Sequence, residues 1–132
     1  MGAAVGLLSR SIRVVVGCIV VSVSMGACRL PWDHSWVARL PVEDVDVSGH
    51  ADGTYRGSFS YNRFTYVVDT TLRDGRYDAI VIVANRDTER ARRAEAVTDR
   101  VIERQSLHVD VVTGATNTSK ALLKAIEVGV RR

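Results

Sequence analysis

The sequence predicts an α+β domain, a small antiparallel sheet of three to four strands with two helices packed on it, behind an N-terminal lipoprotein-type signal. Three observations predict it. Three runs rich in β-branched and aromatic residues follow one another between residues 54 and 84, joined by connections short enough for a meander. Two runs with apolar residues at helical spacing come after them. No Gly-x-Gly-x-x-Gly and no long βαβ unit is present, which removes a parallel dinucleotide-binding sheet.

The chain opens with a segment of a different kind. Arg10 and Arg13 are the only charges before position 28, and Val14 to Ala27 is apolar or small. A positive stretch, a short apolar stretch and small residues form the pattern of a secretory signal. Met25-Gly26-Ala27-Cys28 reads as a lipobox, so residues 1–27 are expected to be a signal peptide and Cys28 the lipidated residue. Val15-Val16-Gly17-Cys18 is a weaker second candidate, because the apolar stretch before it is too short. An uncleaved anchor is the alternative; from Ile12 to Ala27, Arg13 aside, the run is shorter than the roughly 20 residues a spanning helix needs. Plain secretion is a third reading. All three place the domain outside the cytoplasm, and the first makes it a membrane-anchored bacterial lipoprotein on the periplasmic or cell-surface side.

Both cysteines, Cys18 and Cys28, lie in this leader. The remainder therefore offers no disulfide framework, thiolate metal site or cysteine nucleophile. Charge is equally uninformative about polyanions. The chain carries 18 Lys and Arg against 15 Asp and Glu; without Arg10 and Arg13 the excess is about one, no basis for nucleic-acid binding. Arg86, Arg90, Arg92 and Arg93 form the one local cluster, interleaved with Asp87, Glu89 and Glu95. It reads as a solvated helix face, with a docking patch for an acidic redox partner or an anionic membrane as the alternative.

Residues 28–51 read as a linker or tether: Pro31, Pro41, several acids and no sustained periodicity, with Trp32 and Trp36 as local packing. The domain proper is 52–132, 81 residues, enough for a small core. Asp52-Gly53 is a turn signal. Tyr55, Gly57, Phe59 and Tyr61 then alternate on one face of a first strand, Thr54 to Tyr61. Asn62-Arg63 is a short connection to a second strand, Phe64 to Leu72. Asp74-Gly75 is a strong hairpin signal. The third strand, Tyr77 to Ala84, holds Ile80-Val81-Ile82-Val83 and is apolar enough to be central.

Asp87 or Thr88 caps a helix running to about Gln105, with Ala91, Ala94, Val97 or Thr98, Val101 and Ile102 on its buried side. A short extended piece, His108 to Thr113, leads to Gly114. The last helix begins near Asn117 or Thr118 and buries Leu122, Ala125, Ile126 and Val130. Asp110-Val111-Val112-Thr113-Gly114-Ala115-Thr116 thus sets a hydroxyl on a small-residue turn just ahead of a helix start. A helix N-terminus presents unpaired N–H groups and the positive end of a dipole, which favour a phosphate. Thr116 is suited either to capping that helix or to carrying a phosphoryl group. Gly114 and Ala115 permit close approach of backbone to phosphate.

Asp-x-x-(Ser/Thr)-Gly-Ala-Thr, followed by Asn117-Thr118-Ser119-Lys120, resembles the flavinylation motif of the FMN-binding domain family. That family includes the C subunit of sodium-pumping NADH:quinone reductase, the G subunit of the related electron-transport complex, and small flavin-carrying lipoproteins. The resemblance extends upstream: Asp52-Gly53-Thr54-Tyr55-Arg56-Gly57 matches its usual opening, and Asp74-Gly75 its strand–turn–strand. Departures are mild: Thr113 where Ser is common, Tyr77 where a small aliphatic is usual, and Asn117 after the acceptor.

The resemblance implies FMN joined to Thr116 by a phosphoester bond, with Thr113, Gly114, Ala115, Asn117 and Thr118 around the cofactor. It implies a partner, a magnesium-dependent flavin transferase that moves FMN from FAD onto the threonine, for which Asp110 belongs to the modification signal. Thr113 is either a strand-end residue or a hydroxyl bonded near the phosphate. His108 is either a surface residue or a neighbour of the isoalloxazine, and Tyr55 and Phe59 are core residues or stacking partners. A covalent link suits a protein outside the cytoplasm, where dissociated FMN would be lost to dilution. No catalytic residue and no metal site is expected: Ser-His-Asp, His-Glu-x-x-His and paired-cysteine spacings are absent. The expected role is electron transfer between redox partners, the protein supplying position and electrostatics. The alternatives are a non-redox lipoprotein that binds partners, and non-covalent FMN binding or flavin trafficking.

Overall fold

The computed structural model describes residues 35–132, so the leader, Cys28 and its lipobox lie outside the described residues. Three strands form one antiparallel meander in the order β1 (Gly53–Tyr61), β2 (Phe64–Arg73), β3 (Arg76–Ala84). Both connections are two-residue turns with positive φ at each position: 48° and 65° at Asn62 and Arg63, 51° and 67° at Asp74 and Gly75. That is the type I′ geometry, whose twist matches the strands. Asn62-Arg63 is therefore as tight a hairpin as Asp74-Gly75, a step the sequence marks only weakly.

The solvent face of the sheet is held by polar cross-strand pairs. Arg56 donates to both Asp69 carboxylate oxygens at 2.6 and 2.7 Å, and Thr54 pairs with Thr71, Ser60 with Thr65. The opposite face carries Tyr66, Val68, Thr70 and Leu72, all buried. β3 is an edge strand, not the central one its apolar run suggests. A shift in its pairing lets Tyr77, Ile80 and Ile82 align with Leu72, Thr70 and Val68 on the covered face. Val81 and Val83 are left on the outer face, 58% and 49% exposed.

Helices cover the inner face. The expected helix after β3 is two pieces, α2 (Glu89–Ala94) and α3 (Ala96–Arg104). Thr88 caps the first, accepting the N–H of Ala91 at 3.1 Å. At Glu95 the bonding tightens: its N–H reaches Arg92 O, and Thr98 returns both N–H and hydroxyl to Glu95 O. Such a back-bonded threonine bends a helix. Ala91, Ala94, Val97, Thr98 and Val101 are buried as their spacing predicts. Gln105, at φ 55°, ends the pair and clamps β3 by exchanging two hydrogen bonds with the backbone of Tyr77.

The last helix, α4 (Thr116–Val130), lies across β1 and β2. It can do so at close range because Gly57 meets Gly129: a Cβ at Gly57 would stand 1.8 Å from Ala125 O. Its burial goes beyond the expected stripe and includes Ala121, Leu123 and Glu127. The cover on that side comes from residues 35–51, part of the stretch that reads as a tether. A short helix, Ser35–Ala38, buries Val37, and Val47 is buried further on. Glu43 N–H donates to Glu127 at 3.2 Å, Lys124 to Pro41 O at 3.2 Å, and His50 Nε2 to Val130 O at 2.7 Å. Glu43 pairs with Arg131, and Asp44 accepts from Ser106 and from Leu107 N–H. Within the stretch read as a linker or tether, residues 35–51 form a low-periodicity strap held by polar ends bonded to α4 and to the segment after α3. Among the described residues no helix is long and apolar enough to cross a membrane.

Candidate functional site

Thr113 and Gly114 occupy the two central positions of a turn closed by Ala115 N–H on Val112 O at 2.9 Å. Gly114 has φ +78°, the value a type II turn demands at its third residue and glycine adopts without strain. No atom stands within 4 Å of where its Cβ would be, so conformation, not protein crowding, calls for glycine. Ser119, fully buried, braces the turn from within α4. Its hydroxyl accepts Val112 N–H at 3.2 Å and donates to Ala115 O at 3.0 Å.

This brace sets where α4 starts. Ala115 stands at the cap position and makes no side-chain cap, and Thr116 is the first helical residue. Capping, the plainer role open to Thr116, is therefore not what its hydroxyl does here. The helix begins one to two residues earlier than the apolar spacing indicates, because the turn and Ser119 fix the start.

Thr116 opens on a cavity of about 310 Å³ lined by Tyr61, Arg86, Arg90 and residues Gly114 to Thr118. That volume is at the lower end for small-molecule sites. One wall is the first turn of α4, whose leading N–H groups have no partner within the helix. The other is cationic and aromatic. The Arg86 guanidinium lies 3.9 Å from the ring centroid of Phe64 and 5.5 Å from that of Tyr61. Tyr61 stacks on Tyr66 at 5.4 Å with planes 9° apart, and Trp36 meets Tyr61 edge-on at 6.4 Å. Burial first, then the neighbouring Tyr61, push the Tyr66 hydroxyl well above its ordinary pKa, while Arg86 and Thr118 oppose the shift. Tyr66 is buried and backs the lining residue Tyr61.

Five sequence-predicted residues come together here: Gly114, Ala115, Thr116, Asn117 and Thr118. Thr113 is exposed on the turn and does not line the cavity. Asp110 is exposed as well; its backbone carbonyl, with that of Val111, accepts from Arg100. His108 is exposed and outside the cavity. Tyr55 turns its hydroxyl to Ala51 O at 2.7 Å, and neither it nor Phe59 lines the cavity. Among the described residues no cluster of His, Cys, Asp or Glu could hold a metal ion.

Three lining residues escape the sequence reading. Tyr61 is read only as one position on a face of the first strand, and Arg86 and Arg90 only as members of a basic cluster. The structure divides that cluster. Arg92 pairs with Asp87 in solvent, as a surface helix face would, whereas Arg86 and Arg90 face the cavity beside Thr116. The available signal is register. Val67 pairs with Ala84, so the chain leaving β3 returns beside the β1–β2 hairpin, bringing Arg86 to Tyr61 and Phe64.

The residues fit a flavin mononucleotide by their chemistry: a hydroxyl at a helix start, two guanidinium groups for a phosphate, and aromatic faces at hand. Comparison with known proteins agrees. The profile of the FMN-binding domain family matches residues 61–131. A protein of Treponema pallidum (strain Nichols), described as an uncharacterized protein, is 32% identical over 78 residues, 58% of this chain and 22% of the relative. The chain therefore corresponds to less than a quarter of that relative's length. No solved structure is significantly similar.

Proposed function

The chain belongs to the FMN-binding domain family, and from that premise we propose that it carries FMN covalently on Thr116 and passes electrons between redox partners outside the cytoplasm. The observation that carries the reading is the position of Thr116. It stands first in α4, in a cavity with two arginines, with its hydroxyl not used as a cap. A phosphodiester at that position meets the N–H groups of the first turn and the positive end of the helix dipole.

The attachment balances without an oxidant. Thr116 Oγ forms a bond to the FMN phosphorus of FAD, the pyrophosphate P–O bond breaks, AMP leaves, and the hydroxyl proton passes to a base of the flavin transferase. The bound flavin supplies the electron chemistry. The chain supplies a fixed tether point, cationic neighbours and aromatic surface. Tethering makes retention independent of affinity, as an extracytoplasmic site requires. Lipidation of Cys28 would keep the module at the membrane beside its partners.

Intact mass of the denatured protein, co-expressed with a flavin transferase, tests the attachment. The expected result is an increase of one FMN less a water, absent in Thr116→Ala and reduced in occupancy in Thr113→Ala. Flavin retained by denatured Thr116→Ala would refute the assignment. Flavin that leaves wild type on denaturation would mean non-covalent binding instead. Cys28→Ser is expected to release the protein from membranes; continued retention would mean an uncleaved anchor.

A further inference from the structure

We propose that Arg86 is the anion-holding residue of this site, its guanidinium placed by Phe64 and Tyr61 to pair with the phosphodiester on Thr116. The inference rests on Thr116 being the flavin acceptor.

Two ring contacts and a buried Nε without a partner set Arg86 apart, not the lack of an ion pair alone. Arg56 is taken up by Asp69, Arg92 by Asp87, and Arg131 by Glu43 and Glu127. Arg86 has no carboxylate within ion-pair distance among the described residues. Two aromatic rings hold it instead, Phe64 at 3.9 Å and Tyr61 at 5.5 Å. Ring faces attract a cation without neutralising it or satisfying its N–H groups. Its Nε is buried with no hydrogen-bond partner. A buried charged donor left unbonded is costly, and Arg86 itself lines the cavity, so an anion held there would supply the guanidinium with the partner that the protein does not.

The ligand's chemistry follows from the shape of the cation. A planar guanidinium fits two oxygens of one phosphate better than a point charge does. Thr116 lines the same cavity. A diester there carries one negative charge and two free oxygens, and the first turn of α4 approaches it from the other side. Arg90 also lines the cavity but is exposed, on α2, with no ring over it among the described residues. Arg86 is the oriented donor of the two.

The experiment is a thermodynamic cycle on the full chain, with and without flavin, for wild type and Arg86→Gln. Loading is confirmed by intact mass, and unfolding is followed in denaturant. A cycle of this kind isolates the pairwise interaction, because a purely structural role of Arg86 weakens loaded and unloaded protein equally. Flavin is expected to shift the wild-type unfolding equilibrium about tenfold or more toward the folded state, the range of a charge-assisted hydrogen bond. In Arg86→Gln that shift falls to about twofold or less on the same scale. An undiminished shift in Arg86→Gln overturns the pairing and leaves Thr116 as the acceptor. A wild-type chain that gains no mass overturns the acceptor and the pairing with it. Arg86→Lys serves where Arg86→Gln does not fold or load: it keeps the charge and gives up the plane, so an intermediate shift is expected, and a full one refutes the stacked guanidinium.

Discussion

Gly57→Ala tests the contact that sets α4 on the sheet. The added Cβ would lie 1.8 Å from Ala125 O, 2.6 Å from Gly129 N and 2.8 Å from Gly129 Cα. All three are backbone atoms, so no rotamer relieves the clash. Ordinary contact begins near 3.4 Å, so helix and strand must part by about 1.6 Å. Parting them strains β1 and also loosens the layer of Leu122, Ala125 and Ile126, which is fully buried. Overpacking alone costs roughly 1–3 kcal/mol, and a backbone-only clash belongs at or above the top of that range. A loss of about 3 kcal/mol is a large part of the 5–15 kcal/mol of a small domain. It corresponds to a melting temperature lower by roughly 12–24 °C for a domain of this size. Thermal and urea unfolding of wild type and Gly57→Ala measures it. Gly49→Ala is the control, because nothing lies within 4 Å of its Cβ; a change within about 0.5 kcal/mol is expected. Gly129→Ala sharpens the test. Alanine should favour a helix interior by about 1 kcal/mol, yet its Cβ would stand 2.8 Å from Gly57 N, so the net effect is destabilising. Gly57→Ala melting within a degree or two of wild type would refute the close approach.

The other predictions probe separate contacts. Thr88→Ala removes the cap of α2 and is expected to cost about 1 kcal/mol in denaturant unfolding, with no change in flavin loading. Ser119→Ala leaves Val112 N–H without its buried acceptor; a loss of about 1–3 kcal/mol is expected, with lower flavin occupancy by intact mass because the turn before Thr116 is no longer braced. Val37→Ala removes a fully buried side chain of the strap itself and should cost about 2 kcal/mol; a neutral result would return residues 35–51 to a tether. Asp44→Asn should lower stability at neutral pH. Burial raises the Asp44 pKa, but hydrogen bonds from Ser106 and Leu107 N–H, with His108 nearby, outweigh it and hold the carboxyl below 3.8. A depressed folded-state pKa gives stability that is present above 3.8 and lost as pH falls through the folded value. Wild-type and variant unfolding curves should therefore converge on the acid side of 3.8, and a difference that persists there would refute the linkage.

Strands and helices were legible where one face decides their chemistry. Alternation at Tyr55, Gly57, Phe59 and Tyr61 and the stripe from Ala91 to Val101 lie as their periods predict. The position of β3 was not, since Ile80 to Val83 is apolar on both faces and a continuous run does not distinguish a covered strand from an edge. The strap was illegible for another reason. Residues 35–51 bury few side chains and are fixed by Glu43 N–H, Pro41 O, Asp44 and His50, contacts to partners some 60 to 90 positions away. No local period encodes such bonds. α4 shows the consequence from the other side. Leu123 and Glu127 sit off the expected stripe, and their burial makes sense only with the strap in place.

The site divides along the same line. The half that lies in one stretch, Gly114 to Thr118, could be read from local chemistry. The half supplied by Tyr61, Phe64 and Arg86 depends on two hairpins being tight at once. Were Asn62-Arg63 a longer loop, or the β2–β3 pairing shifted, Arg86 would not return to Phe64, and the cavity would keep its helix start and lose its oriented cation. The positive φ values at Asn62 and Arg63 therefore belong to the functional argument as much as to the fold. Under the proposed attachment, they decide whether a phosphate on Thr116 would meet one wall or two. A change in that turn should weaken the tie between Arg86 and the flavin while leaving Thr116 chemically able to accept it.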